Sequence, residues 1–386
     1  MTAGERREAL SLDRKRHAYA IALTALANVL LAQSAVAEGL KPIEYVYSNG
    51  TKIRLSGQLN MGVLNYDDGA ATNTTFVDND NSSTRARLQL FSSFGEWNLE
   101  SIFEAEYQPP ASNTVSQLNK TPNWNFPKTN IRKAEIILSN DMYGRFYVGQ
   151  GSMASDGTAE VDKSGTSVIA YASVADSAAG YFFRFSGAGL STRTVGSAFS
   201  DFDGLGRKTR VRYDTPSFNG FSLRTSWGHD LLAERNNPLY DLAAVYNGET
   251  EAFSIGAAAA IARNTRSNTN IFSASVSGLH KQSGVSLTLA TGGQNDGGMG
   301  YYGYAKLGYE HRFFAVGSTA ASVDVYAGDD IATAASTSNS IGLALVQNFD
   351  DQNIKLWGTW RTYRYDDRTA SYENGQAVFG GVLFKF

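Results

Sequence analysis

Regular alternation of apolar and polar residues, with charges on the polar face, is the feature that most constrains how this chain folds. From Trp97 to Tyr107 apolar residues alternate with polar ones, and the polar set includes Glu100, Glu104 and Glu106. A period of two is that of a β-strand, whose successive side chains point to opposite faces. Unpaired carboxylates on one face are too costly for a dry core. The pattern therefore predicts a sheet with one apolar face and one face in contact with water.

The same alternation recurs along the chain and gives a strand count. The predicted strands are 52–66, 84–93, 97–107, 130–139, 143–150, 207–214, 221–229, 238–247, 252–262, 270–280, 285–291, 301–310, 319–328, 338–348, 354–365 and 375–386. Short connections alternate with long ones, as in outer-membrane barrels, which have short turns at one rim and long loops at the other. A further candidate, Tyr181–Ser186, would make the count odd, so we assign it to the interior of the long connection 151–206. The sequence predicts an all-β protein, a transmembrane antiparallel β-barrel of about sixteen strands.

The N-terminus has the pattern of a secretory signal peptide. Three basic residues, 14–16, precede a short apolar run from Ala18 to Ala32, and Ala35-Val36-Ala37 fits the small-x-small cleavage rule. We expect residues 1–37 to be cleaved and residues 38–386 to form a single barrel domain. An N-terminal membrane anchor is the alternative, and the true start codon could lie downstream of Met1.

Composition removes several other classes of protein. The chain of 386 residues has no cysteine, which excludes disulfides and Cys-ligated metals. Its net charge of -3 does not fit a nucleic-acid-binding protein, which normally has a strong basic excess. No apolar run long enough for a membrane helix occurs beyond the N-terminus. A soluble propeller would show a repeat of about 40–50 residues, and none is visible.

The sequence gives little reason to expect an enzyme or a cofactor. The four histidines are scattered, and no His-Glu-x-x-His, Gly-x-Ser-x-Gly or P-loop motif occurs. His229 and Asp230 are adjacent, but neighbouring residues on a strand point to opposite faces. We therefore predict no enzymatic activity and no cofactor. Two acidic segments, 67–68 and 78–81, offer oxygen ligands for Ca²⁺ as an alternative to solvated loops.

Three short segments resemble a known family. The last strand alternates Val378, Gly380, Val382, Phe384 and ends in Phe386. That ending looks like the assembly signal of outer-membrane barrels. Residues 210–221, RVRYDTPSFNGF, resemble a hairpin of the general diffusion porins of Gram-negative bacteria, and residues 143–150, YGRFYVGQ, resemble the strand before their constriction loop. The chain departs from many members at 150–151, where it has no basic residue.

The resemblance implies a set of properties. These are location in the outer membrane, a homotrimer with one pore per barrel, and passive diffusion of small hydrophilic solutes and ions. It also implies contact with outer-membrane lipid and lipopolysaccharide, and recognition of Phe384 and Phe386 by the barrel-assembly machinery. A nucleic-acid partner is not expected.

The resemblance also implies that the connection 151–206 folds into the barrel as a constriction loop. The acidic residues we expect at the constriction are Asp156, Glu160 and Asp162. The basic residues expected on the lumen-facing wall are Arg54, Arg85, Arg87, Arg210 and Arg212. Acidic groups opposite basic groups would set up a transverse field that selects solutes by size and charge. Alternatively, the acidic run is a solvated surface, and the arginines pair with glutamates of the next strand.

Two further alternatives concern the pore. A substrate-selective channel for sugars or anions has the same fold, and a sugar channel would carry an aromatic stripe, for which Tyr302 and Tyr304 are the candidates. A structural barrel without conductance is expected if the loop plugs the lumen.

Overall fold

The computed structural model describes residues 39–108, 110–120, 126–295 and 299–386. The predicted signal peptide, 1–37, lies outside these ranges. The strands are β1 (Ile43–Val46), β2 (Lys52–Asp67), β3 (Thr72–Asp78), β4 (Arg85–Phe94), β5 (Trp97–Glu106), β6 (Ile131–Asn140), β7 (Gly144–Ser152), β8 (Phe182–Arg184), β9 (Leu190–Thr194), β10 (Arg207–Asp214), β11 (Phe221–Asp230), β12 (Arg235–Glu249), β13 (Phe253–Asn264), β14 (Thr269–His280), β15 (Val285–Asn295), β16 (Met299–Phe314), β17 (Gly317–Asp329), β18 (Thr337–Phe349), β19 (Ile354–Asp366) and β20 (Gly375–Lys385).

Helical structure in these ranges is sparse. It comprises one helix, α1 (Val195–Ala198), and 3₁₀ turns at Asp80–Ser82, Lys128–Asn130 and Leu231–Ala233. None of the described helices is long and apolar enough to cross a bilayer.

The strands close into an antiparallel barrel. Each wall strand pairs with the next along the chain, and β20 returns to pair with β2 over Gln58–Asp67. The wall consists of β2, β4–β7 and β10–β20, which confirms the predicted sixteen-stranded barrel. Tyr181–Ser186 lies outside this wall, since β8 pairs only with β9 in a separate two-stranded sheet.

Two short strands that pair with β2, β1 and β3, were not predicted, and neither was β9 within the connection 151–206. β3 pairs with the second half of β2 and β4 with the first half, so the interruption at 79–84 separates two partners of one strand. β1 pairs with β2 at Lys52–Leu55, just beyond the point where β20 ends. β3 was missed because the Asp- and Asn-rich segments on both sides of it are typical of loops.

Burial along the strands is inverted relative to a soluble protein. In β14 the polar Ser273, Ser275 and Ser277 are buried, whereas Phe272 and Val276 point outward and are exposed. This arrangement follows from the period of two, which sends serines to the interior and apolar side chains to the lipid. The apolar exterior and the polar interior are therefore encoded by the same alternation.

The wall has a low side and a tall side. Strands β4–β7, β10 and β11 contain 8 to 10 residues, whereas β12–β19 contain 11 to 16. The segment between β7 and β10, which we call the inner loop (residues 153–206), lies against the inner face of the tall side.

Hydrogen bonds fix the inner loop to one tall strand after another. Ser155 donates from its backbone N–H to Asp241 on β12 at 2.8 Å, and Lys163 donates its N–H to the Ser277 hydroxyl on β14 at 2.9 Å. Further along, the Tyr363 hydroxyl on β19 donates to the carbonyl of the loop residue at position 174, at 2.9 Å. The loop is thus folded into the barrel, and small wall residues such as serine leave room for it.

Aromatic packing adds to this attachment. Phe199 of the inner loop packs against Tyr326 and Tyr363, with ring centroids 5.3 and 5.4 Å away. Tyr302 and Tyr304, the candidates for an aromatic stripe, are 1% and 4% exposed in the same apolar cluster. They lie beneath the loop rather than along an open lumen.

Candidate functional site

A polar cavity of about 350 Å³ separates the inner loop from the low side of the wall. Its ionisable lining falls into an acidic and a basic group. The acidic residues are Asp80, Glu106, Asp156, Glu160, Asp176 and Asp203, and the basic residues are Arg85, Arg132 and Arg207.

Three alternate strands of the low side supply the basic side. Arg85 begins β4, Arg132 lies at the start of β6, and Arg207 begins β10. Arg132 is held by two carboxylates, with Nε 2.8 Å from Glu104 and Nη1 2.5 Å from Glu106. Within the described ranges neither of the other two arginines forms an ion pair, so two guanidinium charges remain unneutralised.

The two arms of the inner loop supply four of the six acidic residues, while Asp80 and Glu106 come from the turn after β3 and the end of β5. Asp203, on the returning arm, accepts hydrogen bonds from the backbone N–H groups of Gly157 at 2.6 Å and Ala159 at 2.8 Å on the outgoing arm. Asp176 accepts from the Tyr171 and Ser173 hydroxyls. The donors in these hydrogen bonds are uncharged. They hold Asp203 and Asp176 in place without placing a positive charge beside either side chain.

Crowding of carboxylates changes their protonation. Burial, and after it the neighbouring Asp176, raises the pKa of Asp201 to about 7. Burial together with Asp201 and Asp156 raises the pKa of Asp203 to about 8. The pKa of Glu160 is raised well above its ordinary value, first by burial and then by Asp203 and Asp201. Part of this cluster therefore holds protons at neutral pH and releases them as the pH rises.

The predicted acidic residues have two different positions. Asp156 and Glu160 line the cavity. Asp162 instead forms an ion pair with Lys306 of β16 at 2.7 Å, with side chains 3% and 0% exposed. Lys306 also donates to the carbonyl of Ala170 at 2.6 Å. Asp162 thus tethers the loop to the tall wall and lies away from the cavity.

Of the five arginines predicted for the wall, Arg85 lies at the cavity. The other four point inward but are paired with carboxylates: Arg54 with Glu44, Arg87 with Glu104, Arg210 with Glu135, and Arg212 with Asp214. This pairing corresponds to the alternative that wall arginines neutralise nearby acidic residues. Alternation predicts which face a residue occupies, but not its height in the barrel or its partner.

Several residues that line the cavity were not predicted from the sequence. Arg132 follows a register shift between β5 and β6, at Glu104 and Ala105, which no pattern in the sequence reveals. Asp80 comes from the interruption between β3 and β4, and Asp203 and Arg207 from the end of the inner loop. The sequence does contain one signal for this part of the site. Two aspartates at 201 and 203 lie a few residues before Arg207, the first basic residue of β10.

The acidic segments considered for Ca²⁺ are occupied by protein contacts. Asp68 pairs with Arg184 at 2.9 Å, and Asp78 accepts from the backbone N–H of Thr84. Among the residues described, no three His, Asp or Glu side chains are grouped so that they could hold a metal ion. The prediction that no cofactor binds stays a prediction.

A closed sixteen-stranded barrel with an apolar exterior and a charged internal cavity is the architecture of an outer-membrane channel. Solved structures with this fold include an anion-selective porin from Comamonas acidovorans, 16% identical with a TM-score of 0.59, covering 87% of this chain and 100% of that one. Another is OprB of Pseudomonas putida, 8% identical with a TM-score of 0.59, covering 88% and 94%. A third is OmpT of Vibrio cholerae in a trimer form, 11% identical with a TM-score of 0.55, covering 87% and 99%. At these identities the likeness shows the fold.

The sequence itself establishes the family. Residues 20–382 match the profile of the Gram-negative porins, so this chain belongs to that family. A search of curated protein sequences gave no match. The protein is therefore an outer-membrane channel for passive diffusion.

Proposed function

We propose that the cavity between the inner loop and the low wall is the selective part of the pore, and that it favours small hydrophilic cations. The observation that carries this proposal is the excess of acidic groups in the lining, six carboxyl groups against three guanidinium groups. Because several of these carboxyl groups have raised pKa values, the preference for cations should be strongest at alkaline pH. Glu106 and Arg132 neutralise each other, which leaves the excess on the inner loop and on Asp80. A ring of acidic side chains attracts cations and repels anions.

The separation of charge also orients solutes. Arg85 and Arg207 on the wall face Asp156 and Glu160 on the loop across the cavity. A solute with a dipole turns its positive end to the loop and its negative end to the wall, whereas a neutral solute is limited by size. The chain's own residues thus act by position and charge, and no bond to the solute is formed or broken, so we also infer that the protein is not an enzyme.

The other candidates have less support. A sugar channel needs exposed aromatic rings, and Tyr302 and Tyr304 are buried beneath the loop. Anion preference is stated for the Comamonas protein, but the lining here is predominantly acidic. A non-conducting barrel would be expected to lack a hydrated charged cavity beside the loop.

We propose a homotrimer, supported by the fold shared with a porin solved in a trimer form. Lipopolysaccharide and other outer-membrane lipids are its expected surroundings. Phe386 pairs with Gly57 through backbone hydrogen bonds of 2.8 and 3.0 Å beside the seam between β2 and β20. Recognition of Phe384 and Phe386 by the assembly machinery would thus act next to the seam at which the first and last wall strands pair.

Reversal potentials in a planar bilayer under a salt gradient at pH 9, where most of the cavity's carboxyl groups are ionised, test the charge preference. The variant Asp156→Asn/Glu160→Gln should shift the reversal potential toward anion preference with little change in conductance. The matched control is Glu251→Gln/Asp351→Asn, which removes the same formal charge from exposed residues in short turns. Equal shifts in both variants, or anion preference in the wild type, would contradict the proposal.

A further inference from the structure

A second polar cavity of about 350 Å³ lies on the other side of Arg85 from the cavity at the inner loop. Arg85 lines both cavities, whereas Lys385 lines the second alone. Asn353 of the β18–β19 turn and the C-terminal Phe386 also line it, which places it at the rim with short turns. In outer-membrane barrels that rim faces the periplasm. The lumen therefore has two charged zones along its axis.

Four basic residues of the inner face gather at this periplasmic end, and we call them the basic exit. Arg145 is the second residue of β7 and Arg224 the fourth of β11, and both pair across with Asp214 of β10. Lys355 is the second residue of β19 and Lys385 the last of β20. Each of the four adjoins an apolar residue of the outer face. Alternation along the strand therefore turns their charged side chains inward.

The two arginines of the basic exit are only partly neutralised. Arg224 lies 3.8 Å from Asp214, but that carboxylate is already held by Nε and Nη2 of Arg212, at 2.7 and 2.9 Å. The Nε of Arg224 is buried and has no hydrogen-bond partner among the described residues. Arg145 is half exposed, and its Nη2 lies 3.7 Å from Glu100. Three guanidinium groups thus share two carboxylates.

The two lysines of the basic exit add charge on neighbouring strands. Lys355 of β19 pairs with Leu383 of β20, two residues before Lys385. Neither lysine forms an ion pair within the part of the chain that the structure describes. The terminal carboxylate of Phe386 can offset at most one of these charges. The basic exit as a whole therefore has a positive excess, opposite in sign to the inner loop.

The two zones are far enough apart to act separately. Arg207, which lines the cavity at the inner loop, pairs with Ser152 on β7, and Arg145 is seven residues back along that strand. A strand segment of that length, tilted by about 40°, spans roughly 18 Å of the barrel axis. Charges are screened over about 10 Å at 0.1 M salt and about 3 Å at 1 M. At low salt each zone therefore collects its own counterions, cations at the loop and anions at the exit.

We propose that the basic exit is a second, anion-attracting zone of the pore, and that the two zones in series make the current depend on the sign of the voltage. This inference rests on the proposed function, because it needs the acidic zone at the inner loop. When the outer side is positive, cations leave the acidic zone and anions leave the exit toward the same junction, where both accumulate. The opposite voltage empties the junction of both. The channel therefore conducts better with the outer side positive.

Single-channel current–voltage curves of the purified barrel, in equal KCl on both sides at pH 9, test this asymmetry. At 0.1 M KCl and about 100 mV the current should be at least about 1.5-fold larger with the outer side positive, and the ratio should return to about 1 at 1 M KCl. Lys355→Gln/Lys385→Gln should bring the ratio at low salt close to 1. Arg145→Gln should lower it by a smaller amount, because only one charge is removed.

The control variant is Arg364→Gln/Arg368→Gln, which removes two exposed positive charges at the opposite rim and should keep the wild-type ratio. Because the chain has no cysteine, Ser267→Cys gives a single thiol, on the exposed turn between β13 and β14 at the rim of the inner loop. After biotinylation of that thiol, the outer rim is the side from which added streptavidin changes the current.

The reversal potential separates this inference from the proposed function. Cation preference that is kept or increased in Lys355→Gln/Lys385→Gln, with the asymmetry lost, would support both. Equal currents at the two polarities in wild type at 0.1 M KCl, with cation preference intact, would overturn this inference alone. Anion preference of wild type would overturn both. A ratio unchanged in the lysine variant, or lost equally in the control, would overturn the role of the basic exit.

Discussion

The two sides of the internal cavity are built in different ways. The basic side stands on β4, β6 and β10, where strand pairing fixes the backbone and Glu104 and Glu106 hold Arg132. Four of the six acidic residues belong to the inner loop, where Asp176 and Asp203 accept hydrogen bonds from hydroxyls and backbone N–H groups. The arginines keep their charge at every physiological pH, whereas Glu160, Asp176 and Asp203 of the loop have raised pKa values. Charge preference in this channel is therefore adjustable mainly through the loop, together with Asp80, whose pKa is raised by burial and by Asp176 to about 7.

The largest expected effect comes from detaching the acidic side from the wall. Asp162→Ala leaves the buried Lys306 without its carboxylate, and losing one partner of a buried ion pair costs roughly 3–5 kcal/mol. We expect a lower unfolding temperature in detergent and a noisier, larger conductance as the loop loses its tether. Asp162→Ala/Lys306→Met should restore much of the stability. A single variant as stable as wild type would show that the loop is held by other contacts.

A smaller effect is expected on the basic side. Arg85→Ala removes an unneutralised guanidinium from the cavity, so cation preference should increase about two- to fivefold in permeability ratio, corresponding to ~0.4–1 kcal/mol. The measurement is again the reversal potential. Arg54→Ala is the control, because that residue pairs with Glu44 near β1. An equal change in the control would mean that net charge, and not position at the cavity, determines the preference.

The smallest effect on charge preference is expected at two hydrogen bonds between wall and loop. The Tyr326 hydroxyl donates to the Ser200 carbonyl at 2.6 Å and accepts from the Ser200 N–H at 3.1 Å. Tyr326→Phe removes both bonds while keeping the ring contact with Phe199, so stability should fall by about 1–2 kcal/mol. Thermal unfolding in detergent measures the loss. An unchanged charge preference is expected, because this tyrosine lies behind the loop and away from the cavity.

The barrel could be predicted from sequence because one rule, alternation with a period of two, specifies both faces of every strand. The same rule predicted that Arg210 and Arg212 point into the barrel, and the structure confirms it. It could not place them along the barrel axis, since their height depends on strand tilt and register. Arg132 shows this most clearly, because it is itself the extra residue of a register shift between β5 and β6, and that shift decides where it points.

The inner loop was harder to predict for a related reason. Its carboxylates come from two arms that are far apart in sequence and are brought together by Asp203 binding Gly157 and Ala159. No periodicity describes such a loop, and a tethering aspartate such as Asp162 looks the same in sequence as a cavity residue such as Asp156. The two aspartates differ in their partners: Asp162 forms an ion pair with Lys306, whereas Asp156 lines the cavity.

The most direct test of the central claim, that loop carboxylates set the charge preference, is the reversal potential of wild type measured from pH 5 to pH 9. Asp201 and Asp203, with pKa values of about 7 and about 8, lose their protons as the pH rises through that range. Negative charge on the loop then increases while the arginines stay unchanged. Asp80 of the cavity, with a pKa of about 7, adds to the same trend, and no histidine lines the cavity as described. Cation preference should therefore grow between pH 6 and pH 9 and weaken below pH 6. A reversal potential that stays constant over this interval would contradict it.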